Sequence, residues 1–194
     1  MIPETVEKMQ TYNIYKLLKE ELKNGSNDLV TRTSGHIIRE RIEKDISKEE
    51  DGTVIAIDFS KIGIIDYSCA DEIVAKLVSR LLGGEYGDKY ITLVGLNENQ
   101  KENIEVALER KDLAVMAEMR DRKKILMGSL NTYLKETLNL ILKRGKITAK
   151  ELSELMKLEA NTSGTRLLNL HKKRLVKRAD GIVSGGKVWM YEKI

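Results

Sequence analysis

Along the chain the apolar positions alternate between near-continuous runs of five to seven residues and stripes spaced by three and four. Residues 53–59 (TVIAIDF) are β-branched and almost wholly apolar after a turn at Asp51-Gly52, which predicts a central strand covered on both faces. Ala70, Ile73, Val74, Leu77, Val78, Leu81 and Leu82 then follow a helical period that stops at Gly83-Gly84. Residues 90–96 supply a second buried strand, and Asn97 or Asn99 caps a helix bearing Ile104, Val106, Ala107 and Leu108. Upstream, a short strand or turn at residues 29–31 precedes a helix capped by Thr33 or Ser34, striped by Ile37, Ile38, Ile42 and Ile46 and ending near Ser47. Strands alternating with helices predict an α/β layer over roughly 25–115.

The flanks read differently. In residues 5–24, Tyr12, Ile14, Leu17, Leu18 and Leu22 fit a helical stripe ending at Asn24-Gly25, although residues 12–15 fit a strand start equally well. Residues 116–129 mix Arg120, Arg122, Lys123 and Lys124 with Met116, Met119, Ile125 and Leu126. This reads as a connecting helix, or as a solvated surface helix of the first domain. From residue 130 the spacing is helical again. Leu130, Leu134, Leu138, Ile141 and Leu142 mark a helix ending at Arg144-Gly145, and residues 146–148 form a short extended link. Thr148 and Glu151 form a capping-box pattern for a second helix bearing Leu152, Leu155 and Met156. Asn161 or Thr162 caps a third, with Leu167, Leu168 and Leu170. A strand at residues 175–178, a Gly-rich turn from Asp180-Gly181 to Gly185-Gly186 and a strand at residues 187–192 follow. The expected division is therefore a first domain over 1–115 with its core at about 28–115, a connecting helix over 116–129 and a second domain over 130–194.

Composition narrows the function classes. With 194 residues, 41% hydrophobic and 33% charged, the chain can bury one sizeable core or two small ones, and disorder along its whole length is excluded. No apolar run approaches the roughly 18 residues of a membrane helix. The opening MIPET lacks a basic start followed by an apolar stretch, so no secretory signal is expected. One cysteine, Cys69, excludes an intrachain disulfide, and two histidines with one cysteine argue against structural zinc. No nucleophile with a base, paired carboxylates or metal cluster can be assembled. The Gly83-Gly84 loop follows a helix and precedes a strand, the wrong order for a phosphate loop. The expectation is a cytoplasmic protein without cofactor or metal, and not an enzyme.

Charge changes the picture once it is divided along the chain. Residues 1–126 hold 20 basic against 24 acidic residues, a balance of −4, whereas residues 127–194 hold 14 against 6, a balance of +8. A basic module behind a mildly acidic body is the footprint of a nucleic-acid-binding unit attached to something else, although a solvated basic surface would carry the same balance.

The run Ile57-Asp58-Phe59-Ser60, followed by Ile65-Asp66-Tyr67-Ser68-Cys69-Ala70-Asp71-Glu72, resembles the STAS domains of sulfate transporters and anti-sigma-factor antagonists. It is closest to the prokaryotic STAS-like group with a Ser-Phe-Ala-Asp-Glu type of motif. Thr31-Arg32-Thr33-Ser34-Gly35 and Ile38-Arg39 resemble the start of that group's first helix, so the resemblance spans roughly 28–115. It implies a mixed sheet with helices that takes a signal from a regulatory protein or a small ligand. In the antagonist branch the serine matching Ser68 is phosphorylated as a partner switch; Tyr67 and Cys69 replace its usual small neighbours. On the residues alone, Ser68 with Asp71 fits a capping box at the positive end of a helix, a plain structural role or a phosphate seat. Cys69 in the first turn fits either a buried small residue or a redox-sensitive thiol.

Residues 130–194 resemble the winged helix-turn-helix domains of prokaryotic transcription regulators, three helices followed by a β-hairpin wing. The match lies in Ile147-Thr148-Ala149-Lys150-Glu151-Leu152, Leu167, Leu170, Leu175-Val176, Trp189 and Tyr191; Arg174 stands where the family has a helix-ending Gly. With Leu167 and Leu170 on the core side, Thr162, Thr165, Arg166 and Asn169 lie on the outer side of the third helix, where Arg166 suits guanine and Asn169 adenine. The resemblance makes Lys172, Lys173, Arg178 and Lys187 the phosphate contacts. Taken together, these features lead to the expectation of a homodimeric regulator of transcription, with no membrane role, that binds double-stranded DNA and joins a STAS-like input domain to a winged helix. Its dimer interface is expected at the connecting helix and the first helix of the second domain. The alternative is a partner-switching adaptor that uses the Ser68 surface for protein binding.

Overall fold

The computed structural model describes residues 8–22, 26–183 and 186–194. The ends of the expected first helix at residue 5 and at Asn24-Gly25, the opening MIPET and the turn residue Gly185 lie outside these. The chain is a mixed α/β protein of two compact units, residues 1–129 and 130–194.

The first unit is built on a five-stranded sheet in the order β1 (Met9–Asn13), β2 (Val54–Asp58), β3 (Tyr90–Leu96), β4 (Ala114–Met119) and β5 (Lys124–Gly128). The first four strands run parallel and β5 returns antiparallel. Spatial order equal to chain order follows from short crossovers that each carry helices. These are α1 (Ile14–Leu22) and α2 (Arg32–Ile46) before β2; α3 (Tyr67–Ala70), a π turn (Asp71–Ala75) and α4 (Lys76–Leu82) before β3; and α5 (Glu98–Glu109) before β4. One parity of each central strand, Ile55 and Ile57, Ile91 and Leu93, Val115 and Ala117, shares a single apolar core with Ile38, Ile42, Ile73, Leu77, Ile104 and Leu108 of the helices. Each fully buried aliphatic side chain contributes about 1.5–3 kcal/mol. The other parity of β2, Val54 and Ala56, is also buried, as its unbroken apolar run predicts.

Local chemistry explains most boundaries. Asn97 and Gln100 form a reciprocal capping box at the start of α5. Thr31, rather than Thr33 or Ser34, caps α2, accepting from the Ser34 N–H at 3.1 Å. The N-terminal segment uses both of the readings open to it, a strand to Asn13 and then a helix from Ile14. Val106, expected on the apolar stripe of α5, is 42% exposed, because the buried face is set by Ile104, Ala107 and Leu108.

The connecting helix expected over residues 116–129 is absent. This stretch is the end of β4, a turn and β5. Val115, Ala117 and Met119 alternate into the core while the charged residues 120–124 gather at the turn, where Arg122 has φ 69° and Asp121 accepts from the Lys123 N–H at 3.0 Å. Alternation of period two, interrupted by that turn, imitates a mixed helical pattern. The expected first-domain end at residue 115 moves accordingly, and the dimer interface drawn partly from a connecting helix loses that helix.

The second unit contains α6 (Thr132–Arg144), β6 (Lys146–Thr148), α7 (Ala149–Met156), α8 (Ala160–Lys172), β7 (Val176–Val183) and β8 (Gly186–Lys193), with a three-stranded sheet in the order β6-β8-β7. Asn131 caps α6, Gly145 ends it at φ 85°, and Thr148 with Glu151 forms the expected capping box of α7. Asn161 and Thr162 do not cap α8. Glu159 occupies the cap position without a side-chain bond, which leaves both residues inside the first turn. The turn expected at Asp180-Gly181 is strand, and β7 runs on to Val183 with Asp180 opposite Trp189 and Ile182 opposite Lys187.

Candidate functional site

Ser68 is the second residue of α3, half-buried, and is not its cap. The Asp66 N–H donates to the Leu29 carbonyl at 2.9 Å and holds Asp66 extended, so its carboxylate accepts from the Cys69 N–H at 2.8 Å. The capping box expected of Ser68 and Asp71 is thus replaced by Asp66, and Asp71 turns instead to Arg32 at 3.2 Å and Lys111 at 2.6 Å. Beside Ser68, the Arg110 guanidinium lies 4.6 Å from the Tyr67 ring centre. Cys69 is fully buried and its thiol donates to the Thr31 carbonyl at 2.9 Å. Burial, reinforced by the Asp66 carboxylate, pushes this thiol up to about 12. That environment is the reverse of the one that activates a redox thiol, and it gives Cys69 the role of a small core residue.

The helix after Ser68 widens into a π turn that carries two buried carboxylates. Glu72 accepts from Arg32 at 2.8 Å, from the buried Arg39 at 3.4 Å and from Lys76. Arg39 also donates to Glu43 at 2.6 Å and to His36 Nδ1 at 2.8 Å, and Glu43 accepts in turn from Arg80 at 2.7 Å and the Tyr86 hydroxyl at 2.5 Å. Burial opposes ionisation of Glu72, but the bonds from Lys76, Arg32 and Arg39 outweigh it and hold the carboxyl below the usual range. Glu43 is held low in the same way, with burial outweighed by Tyr86, Arg39 and Arg80. Gly35 makes the close packing of α2 on this turn possible, because a Cβ there would stand 3.0 Å from Glu72 Cβ and 3.1 Å from Cys69 Cα. Sequence reasoning did not single out this network. Its legible signals were the opposite charges four apart, Arg39 with Glu43 and Glu72 with Lys76.

A cleft of about 300 Å³ opens at the carboxyl ends of the parallel strands, lined among others by Thr11, Asp58, Ser60, Gly95, Glu118 and Arg120. This is where ligands enter open α/β sheets. Gly95 adopts φ +74° here, and a Cβ would come within 2.7 Å of Ser60. The charged groups that line the cleft are each bonded locally, only one pair of them to each other. Asp58 accepts from Asn13 at 2.6 Å and the Ser60 N–H at 2.8 Å, Arg120 donates to the Gly95 and Ile62 carbonyls, and Arg122 pairs with Glu118 at 2.9 Å.

In the second unit α8 buries Ser163, Leu167 and Leu170. Thr162, Thr165, Arg166 and Asn169, one helical face by their spacing, line a concavity of about 410 Å³ with Asn161 and Tyr133. Lys172 is the last residue of α8 and Lys173 its C-cap, while Arg178 lies on β7 and Lys187 on β8. The β7–β8 register puts Arg178, Asp180, Ile182, Lys187, Trp189 and Tyr191 on one face of the hairpin. The Arg178 guanidinium stacks 3.6 Å from the Trp189 ring centre, and that of Arg166 lies 5.2 Å from the Tyr133 ring centre. Among the described residues, none of Arg166, Lys172, Lys173, Arg178 and Lys187 has a carboxylate within 4 Å; the ion pairs described lie within residues 8–122. Tyr133 and the Trp189 stack were not anticipated as part of a site. An exposed aromatic off the Leu134, Leu138 and Ile141 stripe was the available sign.

Among the described residues no group of three or more His, Cys, Asp or Glu is placed to hold a metal, and no helix is long and apolar enough to cross a membrane. No protein-family model matches the chain, and no curated protein matches it.

Proposed function

We propose that the protein is a DNA-binding transcriptional regulator in which a STAS-like input domain controls a winged helix. The observation that carries this reading is a set of cations in the second unit that no carboxylate pairs among the described residues. Five cations, Arg166, Lys172, Lys173, Arg178 and Lys187, lie on or next to α8 and the β7–β8 hairpin without a carboxylate partner among the described residues. The element order of that unit, with its hairpin after α8, supports the winged-helix assignment. In this reading α8 enters the major groove, Arg166 and Asn169 read base edges, Thr162 and Thr165 contact bases or backbone, and the lysines and Arg178 hold phosphates. The five-stranded sheet and the Ser68 helix form the input domain, which takes a regulatory protein at the Ser68 surface or a small polar ligand at the strand ends. Two copies of the protein reading a palindrome would suit such a module.

Binding of random-sequence duplex DNA across a salt series tests this. Four phosphate contacts give a slope of about −4 in log affinity against log salt, at about −0.9 per contact. The Lys173→Glu, Lys187→Glu pair abolishes the binding. A protein that binds no duplex at low salt is not this regulator, and protein partners of the Ser68 surface become the object of search.

A further inference from the structure

We propose that Tyr133 is a positioning residue that fixes which base Arg166 reads, an inference that rests on the DNA-reading role given to α8 above. Tyr133 is the second residue of α6, whose start is pinned by Asn131 accepting from the Leu134 N–H at 3.3 Å. Its ring is 43% exposed, whereas the core side of the helix is supplied by Leu134, Leu138 and Ile141. Packing therefore does not explain the ring.

Arg166 reaches it from the other helix. Its guanidinium lies 5.2 Å from the ring centre, and Nη1 points at the Tyr133 carbonyl at 3.5 Å. No carboxylate competes for this arginine among the described residues. An arginine held by one face and by Nη1 keeps its Nε–Nη2 edge available, and that edge matches guanine O6 and N7. Side-chain freedom already lost in the free protein is not lost again on binding, so the ring pre-organises that edge. The ring is also one wall of the concavity whose other walls are Asn161, Thr162, Thr165 and Asn169, which sets the side from which Arg166 meets a base pair. Without it the long side chain can reach a neighbouring base or a phosphate. Affinity then survives through the lysines while selectivity does not.

The test is selection of bound sequences from a randomised duplex library by the full chain, run beside direct measurement of random-duplex affinity. The unaltered protein selects a guanine at one position, and Arg166→Ala removes that preference. Tyr133→Phe, which keeps the ring, retains it, the main-chain carbonyl being common to every variant. Tyr133→Ala keeps random-duplex affinity and its salt slope within about twofold while the guanine preference falls about tenfold, the weight of one good base contact. Unchanged random-duplex affinity certifies that the variant is folded. The inference is overturned if Tyr133→Ala keeps the full guanine preference, if Tyr133→Phe loses as much as Tyr133→Ala, or if the selected sequence does not depend on Arg166. Absence of random-duplex binding by the unaltered protein removes the DNA reading itself, and this inference with it.

Discussion

In residues 8–122 arginine and carboxylate side chains are matched across helices: Arg39 joins α2 to the π turn through Glu72, and Arg80 of α4 returns to Glu43 of α2. Among the described residues of 130–194, Arg166, Lys172, Lys173, Arg178 and Lys187 have no carboxylate within 4 Å, and two of them rest on aromatic rings instead. Charge in the first unit is part of the architecture, since a buried ion loses hydration that only its partners restore. These five cations of the second unit carry no such ion-pair partner among the described residues. Charged residues are abundant in both, so abundance alone separates neither role.

Removing a member of the buried network is the strongest way to break the comparison. Arg39→Ala leaves Glu72 and Glu43 short of a partner and lowers the stability of the first unit by about 3–5 kcal/mol. Lys172→Ala on the second unit changes stability by no more than about 0.5 kcal/mol. Denaturant titrations of the two variants decide this, and equal losses would erase the distinction.

Cys69 gives a probe confined to the first unit. A thiol pushed up to about 12 from an ordinary 9.0 carries about a thousandfold less thiolate near neutrality, so the native protein resists a thiol reagent at pH 8. Labelling then follows opening of the first unit. Prompt reaction of the native thiol would contradict its burial.

Acid sharpens the contrast further. Glu72 and Glu43 titrate lower in the folded chain than when unfolded, so on acidification the unfolded chain takes up these protons first. Their contribution is present in full above the ordinary carboxylate value and disappears as pH falls through the lowered folded values. The first unit therefore loses stability through this window, and Glu72→Gln flattens the loss. In the second unit Glu151 is held low too, chiefly by the Thr148 backbone N–H and hydroxyl, and it adds a smaller acid-sensitive step at the start of α7. Stability measured against pH for the unaltered and Glu72→Gln chains provides the comparison.

The smallest effect concerns backbone alone. Lys157 ends α7 in the left-handed region at φ 53°, with an exposed side chain. Lys157→Gly relieves that conformation and raises stability by about 0.5–1 kcal/mol, read as a shift in the denaturation midpoint.

Much was legible where a pattern is local. The apolar run of β2, the Asn97 and Thr148 caps and the outward set Thr162, Thr165, Arg166 and Asn169 all follow from spacing within a dozen residues. Residues 116–129 misled because a β-hairpin with a charged turn mimics a polar helix until its pairing with β3 is known. Ser68 misled because the competing cap, Asp66, is chosen by a bond to Leu29, a residue far away in sequence.

The sequence by itself determined the alternation of strands and helices, the ends of several helices and the division of charge between −4 and +8, since these depend on neighbours along the chain. Only the tertiary structure decided which charges are occupied. Arg39 and Arg166 are the same residue type on similar helices, yet one is sealed among Glu72, Glu43 and His36 and the other lies over Tyr133 beside an open concavity. Hydration and partner geometry separate them, and both arise from packing between elements distant in the chain.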